Sequence, residues 1–269
     1  MHTEKGGSSI VMTEKQLHTQ DGVCRILLYD HLPSTNQTAR EMASDGAPDG
    51  TVIIAREQSA GRGRLQRSFF SPGGTGLYMS LILRRSLHAA DALRLTPLAA
   101  VATAEAIEEM IGHKVDIKWV NDIYLGGKKV CGILTEGAVD PTTQSLSYAV
   151  VGIGVNITPP AGGFPEAIRQ IAGAVLPTAD HAEALCDELA EKIICNMMTI
   201  LDADPASVHE KYRSRLMLCN RAVTVHSADG TSSRPAVALD VDQDYRLKVC
   251  YEDGSVEHLD GGEVSIRWL

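Results

Sequence analysis

The length and charge of the chain exclude several classes of protein. Its 269 residues, 44% of them hydrophobic, are enough for one large domain and a small second one, each with its own core. A formal net charge of -9 argues against a general nucleic-acid or anionic-membrane surface, because such binding depends on summed positive charge.

Targeting and redox signals are weak. The first 20 residues are too polar for a signal peptide, and the longest apolar run is too short to span a bilayer. The six cysteines are scattered without a C-x-x-C pair or a histidine at zinc-ligand spacing. We therefore expect them to be reduced, to serve mostly as packing residues and to form no metal site of their own. We therefore expect a soluble cytoplasmic protein with no membrane partner.

In chain order, residues 1–22 predict a flexible N-terminal tail, because glycine, serine and charge occur there without a sustained hydrophobic period. Strand and helix patterns then alternate over 23–218. "VCRILLYD" and "GTVIIARE" predict strands, whereas "LTPLAAVATAEAIEEMIG" and "HAEALCDELAEKIICNMMTIL" have apolar residues at helical spacing. This alternation indicates a mixed α and β domain. From residue 219 onward, short strand patterns separated by "ADG" and "EDG" predict a small β domain over 219–269.

A loop rich in arginine and glycine stands out in this acidic chain. "AGRGRLQRSFFSPGG", residues 60–74, places Arg62, Arg64 and Arg67 among glycines. Glycine permits close backbone approach, and the arginine fork fits carboxylate or phosphate, so the loop predicts an anion site. A solvated basic turn is the alternative. The chain contains neither a P-loop nor a G-x-G-x-x-G dinucleotide motif, so any phosphate is held in another way.

The stretch "VDIKWVNDIYLGGKKVCGILTEG" predicts a β-hairpin that turns at the glycine pair 126–127. Lys128 and Lys129 begin the returning strand. Because neighbouring strand residues point to opposite faces, at most one of these lysines can enter a pocket under the sheet. We expect Lys129 to be that residue and to share a face with Cys131. An edge hairpin kept soluble by its lysines is the alternative.

Polar and glycine residues interrupt two further apolar runs. Asn121 and Asp122 lie between apolar strand residues of the hairpin and require partners there. In "AVVGIGVNI", Gly152 and Gly154 weaken a strand pattern, which indicates close approach of a ligand or another backbone, and Asn156 ends the run. Close packing of a helix across the sheet is the alternative for the two glycines.

The segment "STNQ", residues 34–37, precedes a helical pattern and predicts a capping box, with Ser34 as the cap and Gln37 three residues later. A helix N-terminus rich in hydroxyls and amides is also suited to hold a polar ligand group.

These motifs in this order resemble the biotin protein ligase family, from about residue 24 to the end: "STNQ", "EQSAGRGR" with "FFSP", "KWVNDIYL" with "KKVCGILTE", "GIGVNI" and the closing "GGEVSIR". The resemblance implies an α+β fold, with a mixed β-sheet flanked by helices like that of class II aminoacyl-tRNA synthetases and the biotin and lipoate ligases. It places this biotin- and ATP-binding catalytic domain at 23–218 and a small SH3-like β-barrel at 219–269. The implied reaction forms biotinyl-5'-AMP from biotin and MgATP and then passes biotin to one lysine of a biotin carboxyl carrier domain.

The resemblance also implies roles for individual residues. Lys129 and Arg64 are the implied catalytic residues, with Lys129 meeting the biotin carboxylate and the α-phosphate. The positions implied to bind biotin or wrap the adenylate are Ser34, Thr35, Asn36, Gln58, Gly61, Arg62, Gly63, Arg64 and Lys129. The implied nucleotide and Mg²⁺ side comprises Asn121, Asp122 and Asn156.

Two departures from the family pattern affect these expectations. Many bacterial relatives begin with a DNA-binding winged helix-turn-helix, whereas only about 22 residues precede the first predicted strand here. We therefore expect a monofunctional ligase without specific DNA binding. Val120 replaces the usual proline of "KWPND", which removes no functional group.

A lipoate-protein ligase or related acyltransferase, and a binding protein without turnover, are the alternatives. The sequence leaves the oligomeric state open, a homodimer included.

Overall fold

A mixed eight-stranded sheet is the framework of the larger part of the chain. The computed structural model describes residues 11–20, 22–85, 92–140, 142–143, 145–178, 182–227, 231–260 and 263–266. The sheet has the order β1-β2-β3-β4-β8-β7-β6-β5, and only β2 and β3 run parallel. Its strands are β1 (Val11–Thr19), β2 (Gly22–Leu32), β3 (Thr51–Gln58), β4 (Gly76–Leu83), β5 (Asp116–Lys118), β6 (Asp122–Leu125), β7 (Lys128–Val139) and β8 (Leu146–Asn156).

Helices cover both faces of this sheet. On one face lies α1 (Thr35–Ser44), against β3, β4 and β8; on the other lie α2 (Ala92–Ile111) and α4 (Ala182–Leu201), which also pack on each other. Since both faces are covered, every residue of β4 is buried. The predicted mixed sheet flanked by helices is confirmed, and the apolar stripe of the second predicted helix is buried at Leu189, Ile193, Met197 and Ile200.

Two shorter helices complete this layer arrangement. They are α3 (Glu166–Arg169) and α5 (Pro205–Arg213), and the second is capped by the Asp204 carboxylate, which accepts from Ser207 N. Within the described residues, no helix combines the length and apolar composition that a membrane span requires.

The N-terminal segment differs from its prediction. Val11–Thr19 form β1, an edge strand paired antiparallel with β2. Exposed ion pairs, Arg25 to Glu14 at 2.7 Å and Lys15 to Asp187 at 3.0 Å, accompany it. The expected flexible tail over 1–22 is therefore wrong for this segment, because an exposed edge strand buries too little to show a hydrophobic period. Residues 1–10 and 21 lie outside the described ranges.

The C-terminal strands form a second, antiparallel sheet with the order β12-β11-β10-β9-β13. They are β9 (Arg221–His226), β10 (Ser233–Val241), β11 (Leu247–Tyr251), β12 (Val256–Leu259) and β13 (Glu263–Ile266). Over the described residues β12 and β13 stay at opposite edges, so the sheet fits a small SH3-like domain but does not close into the predicted barrel. Trp119 Nε1 donates to Tyr245 O at 2.8 Å and ties this sheet to the larger one.

Candidate active site

A cavity of about 470 Å³ lies beside the N-terminus of α1. Its walls come from α1, the arginine–glycine loop, the β6–β7 hairpin, β8 and the segment 164–172. The predicted site residues that line it are Ser34, Thr35, Asn36, Gln58, Arg62, Gly63, Arg64, Asn121, Asp122, Lys129 and Asn156. Gly61 does not line it. The fold thus brings residues from four separate sequence motifs to one place.

The N-terminus of α1 supplies a polar wall. Thr35 donates to Gln58 Oε1 through both its backbone N (2.8 Å) and its Oγ1 (3.2 Å), and Gln58 Nε2 donates to Ser71 Oγ at 2.9 Å. The predicted capping box is wrong: Ser34 occupies the cap position without a side-chain cap bond, and Gln37 donates to Glu41 instead. Ser34 is instead buried in the wall of the cavity.

Asn36 is held from three sides beneath this wall. Its Nδ2 donates to Leu134 O at 3.2 Å and to Glu136 Oε2 at 3.0 Å, and its Oδ1 lies 2.6 Å from Ser80 Oγ. A Cβ on Gly152 would lie 1.9 Å from that Oδ1. Gly152 is therefore required by close approach of α1, which was the alternative interpretation of this glycine.

The arginine–glycine loop folds back over the sheet. Phe69 N donates to Gly61 O at 2.8 Å, and a Cβ on Gly61 would lie 2.4 Å from Phe69 O. Gly61 thus allows the loop to double back, while the Phe69 ring lies so close to Gly154 that a Cβ there would be 2.5 Å from Cε1. Between these points Leu65 and Gln66 adopt left-handed backbone angles, φ 53° and 61°.

Two of the three loop arginines that line the cavity, Arg62 and Arg64, contact the β6–β7 region. Arg64 Nη1 donates to Asn121 Oδ1 at 3.1 Å, and Asn121 Nδ2 donates to Ile133 O at 2.9 Å. Arg62 Nη1 lies 3.4 Å from Glu136 Oε1. The loop is therefore pinned to the sheet at two points.

Lys129 reaches the cavity by a route that strand alternation does not predict. The pairing of β6 with β7 shifts by one residue, since Ile123 pairs with Cys131 but Tyr124 pairs with Lys129. This bulge places Lys129 on the face of Gly132, where a Cβ would be 3.3 Å from Lys129 Nζ, and not on the face of the fully buried Cys131. The expected shared face with Cys131 is therefore wrong, although Lys129 does line the cavity.

The two lysines of the hairpin have different partners. Lys129 Nζ lies 2.7 Å from Asp122 Oδ1, as an ion pair without hydrogen-bond geometry. Lys128, which does not line the cavity, donates from Nζ to the backbone oxygen of the lining residue Gln170 at 2.6 Å. Asn156 Nδ2 donates to Gly173 O at 2.9 Å, so Lys128 and Asn156 both secure the segment that follows α3.

The cavity offers few ligands for a metal ion. Within the described ranges, no group of three or more His, Cys, Asp or Glu side chains could hold a metal ion. Asp122 is the carboxylate among the described lining residues, and its buried Oδ1, which makes no hydrogen bond, is already paired with the Lys129 ammonium. Next to it, burial and the Asp122 charge raise the pKa of Tyr124 to about 12, so this phenol stays protonated as a donor.

Sequence reasoning missed three residues of the site. Ser80 and Glu136 lie in strands β4 and β7, and Phe69 lies in the loop. A signal was present for Ser80, a single hydroxyl in the apolar run "GLYMSLIL". Glu136 ends the quoted motif "KKVCGILTE", but no local pattern predicts its contacts, because its partners are distant in sequence.

Part of the chain is similar to proteins of a known family. Residues 28–156, which carry most of the cavity, match the model of the biotin/lipoate A/B protein ligase family. The match covers just under half of the chain. A relative of this segment is the bifunctional ligase/repressor BirA of Bacillus subtilis, 42% identical over 154 residues that cover 57% of this chain and 47% of that protein. The chain thus spans about half the length of this and a second Bacillus relative.

Two other proteins extend the comparison. The biotin--[acetyl-CoA-carboxylase] ligase of Paracoccus denitrificans is 37% identical over 153 residues, covering 56% of this chain and 60% of that one. The structure of the biotin protein ligase from Aquifex aeolicus in complex with biotin and ATP matches 90% of this chain and 98% of that one, with a TM-score of 0.71 and 23% identity. The second likeness shows that the whole fold, and not only the matched segment, is shared.

Proposed function

We propose that this chain is a biotin protein ligase, which activates biotin with ATP as biotinyl-5'-AMP and transfers biotin to a lysine of a biotin carboxyl carrier domain. The observation that carries the proposal is the composition of the cavity: its lining combines two lysines and three arginines with a wall of hydroxyls and amides. The names of the Bacillus and Paracoccus relatives, and the biotin and ATP of the Aquifex complex, support this assignment.

In the first step, an oxygen of the biotin carboxylate attacks the α-phosphorus of ATP, and the bond from that phosphorus to the leaving pyrophosphate breaks. Two anionic groups must approach each other for this attack. We assign Lys129 as the catalytic residue that offsets the repulsion between these two anions, since its ammonium lies in the cavity and is oriented by Asp122 at 2.7 Å. Arg64 and Arg62 add positive charge from the loop, which also covers the adenylate.

The polar wall is assigned to the ureido ring of biotin, which offers two donors and one acceptor. Ser34 and Gln58 are the direct partners, because the Ser34 hydroxyl makes no cap bond and the second amide hydrogen of Gln58 is not used by Ser71. Thr35 and Asn36 act as positioning residues, since their donors already bond within the protein. Gly61 and Gly63 shape the loop.

The nucleotide is assigned to the side of the cavity lined by Asn121, Asp122 and Asn156. Mg²⁺ would be held there mainly by the triphosphate, as is usual for nucleotide-bound magnesium, with Asp122 as the one carboxylate among the described lining residues; its Oδ1 also pairs with Lys129. When bound, the ion neutralises phosphate charge.

In the second step, the neutral lysine amine of the carrier attacks the acyl carbon. The bond from this carbon to the phosphate oxygen breaks, AMP leaves with that oxygen, and the amine loses a proton as the amide forms. The loop must exclude water until then, because water would hydrolyse the acyl adenylate. We infer a catalytic domain at 23–218, to which β1 (Val11–Thr19) adds an edge strand, and a small domain at 219–269. We also infer a cytoplasmic enzyme without specific DNA binding. Homodimer formation is a further hypothesis.

The deciding experiment measures pyrophosphate exchange into ATP and labelling of a carrier domain. We expect exchange to depend on biotin and a carrier domain to be labelled on one lysine. Exchange that depends on lipoate and not on biotin would assign the chain to the lipoate ligases instead. Tight biotin and ATP binding without exchange would indicate a binding protein.

A further inference from the structure

The segment 119–122 forms part of the nucleotide side of the cavity, and its backbone is held from behind. Its lining residues are Trp119, Asn121 and Asp122. The carbonyl oxygen of Val120, which does not line the cavity, accepts a hydrogen bond from the Tyr212 hydroxyl at 3.2 Å. Tyr212 lies on α5, is fully buried and is also outside the cavity lining. Burial holds the pKa of Tyr212 well above its usual value, so the hydroxyl remains a donor at neutral pH.

A second bond to the same segment comes from the small domain. Tyr245 lies between β10 and β11, and its carbonyl oxygen accepts from Trp119 Nε1 at 2.8 Å. The rings of Tyr245 and Tyr212 meet edge to face, with centroids 5.3 Å apart. The two bonds that hold segment 119–122 from behind thus come from one packed pair of tyrosines.

The two residues that follow Val120 both depend on the position of this backbone. Asn121 accepts a hydrogen bond from Arg64 Nη1 at 3.1 Å. Asp122 orients the Lys129 ammonium at 2.7 Å. A bond that fixes the backbone immediately before them therefore helps to hold both side chains in the cavity.

We propose that Tyr212 is a positioning residue that holds the nucleotide side of the cavity in place through its bond to Val120 O. The contact itself stands on geometry, whereas its effect on catalysis rests on the proposed function. The polar wall assigned to biotin belongs to other elements, the N-terminus of α1 and the strand β3. Loss of the bond should therefore weaken the use of ATP and leave the binding of biotin unchanged.

Two exchanges of tyrosine for phenylalanine form a matched pair of variants. Tyr212→Phe removes the donor to Val120 O and keeps the ring. Tyr245→Phe is the control, because the Tyr245 hydroxyl is buried and makes no hydrogen bond among the described residues, while its carbonyl bond to Trp119 is kept. In pyrophosphate exchange we expect the KM for ATP to rise about threefold to tenfold in Tyr212→Phe, the effect of losing one hydrogen bond, and to stay at the wild-type value in Tyr245→Phe. Equal values in the two variants overturn the proposal.

Comparison of the two substrates separates a positioning role from a general loss of stability. The dissociation constant of biotin, measured by calorimetry without ATP, should be the same in Tyr212→Phe and in wild type. A loss of folded protein would lower kcat and leave the KM for ATP unchanged. An unchanged KM for ATP in Tyr212→Phe, or an equal weakening of biotin and ATP, overturns the positioning role.

Tryptophan fluorescence tests the contact without any ligand. The chain has two tryptophans, Trp119 and Trp268, so in a Trp268→Phe background the emission reports on the buried Trp119. Its quenching by acrylamide should increase about threefold in Tyr212→Phe, because one hydrogen bond fewer opposes local opening, and should not change in Tyr245→Phe. Unchanged quenching in Tyr212→Phe overturns the proposal. This result is independent of the proposed function, which fails if the wild-type protein shows no exchange with biotin.

A second variant covers the case in which Tyr212→Phe does not fold. Tyr212→4-fluorophenylalanine fills the volume of the hydroxyl without donating a hydrogen bond, so it leaves no gap beside Val120. The same rise in quenching is expected, and wild-type quenching overturns the proposal here as well.

Discussion

Gly152→Ala tests whether the glycines of β8 exist for close approach of side chains. The new Cβ would lie 1.9 Å from Asn36 Oδ1 and 2.7 Å from its Cγ, so the Asn36 side chain has to leave its place. Its hydrogen bonds to Leu134 O, Glu136 and Ser80 are then lost. Because these groups are buried or nearly so, water does not readily replace the bonds.

The expected cost follows from those three contacts. At about 1 kcal/mol for each net hydrogen bond, their loss removes about 3 kcal/mol. Replacing glycine by alanine restricts the unfolded chain and returns roughly 0.4–1 kcal/mol. We therefore expect the free energy of unfolding to fall by about 2 kcal/mol.

Equilibrium urea unfolding measures this, with Gly154→Ala as the matched control on the same strand. There the Cβ meets the Phe69 ring, at the end of a loop that can shift, so stability should stay within about 1 kcal/mol of wild type while the loop opens. Gly152→Ala with wild-type stability would refute the inference that α1 requires this glycine.

Four further predictions concern the site and its surroundings. Lys129→Ala should lower biotin-dependent pyrophosphate exchange by about 10²-fold or more, and Lys128→Ala by little, because Lys129 lines the cavity and Lys128 does not; equal losses would contradict this. Arg64→Gly should release biotinyl-AMP faster and biotinylate an unrelated lysine-rich protein, and no excess labelling would show that the loop is not a lid. Burial raises the pKa of Glu108, but hydrogen bonds from Arg215 and from Val115 N, together with the charges of Arg215 and Lys114, outweigh burial and hold that pKa below its usual value. This stabilisation is present at neutral pH and lost as pH falls through the lowered pKa, so Glu108→Gln should destabilise less in acid; an equal cost in urea unfolding at both pH values would refute it. With a net charge of -9, the chain should not retain a biotin-operon operator in a gel shift at physiological salt, and sequence-selective retention would overturn this.

The sequence by itself determined the local elements and the chemistry available to the site. Hydrophobic period located β2, β3, α2 and α4, and the glycine pair 126–127 located the hairpin. Arginine between glycines, and polar residues inside apolar runs, identified the residues that line the cavity. These signals can be recognised in the sequence because backbone preference and side-chain chemistry act over a few neighbouring residues.

Tertiary structure alone decided which of those residues meet and which way they face. The bulge in β7 places Lys129 on the face of Gly132. No local sequence pattern predicts this bulge, because it arises from the pairing of β7 with β6. Asn36 and Glu136 are 100 residues apart. Their contact exists only because α1 packs across β8 and because the pairing of β7 with β8 places Glu136 beneath α1. Pairing register and helix packing are set by the whole sheet, so partners that depend on them cannot be read from the residues that precede and follow each one.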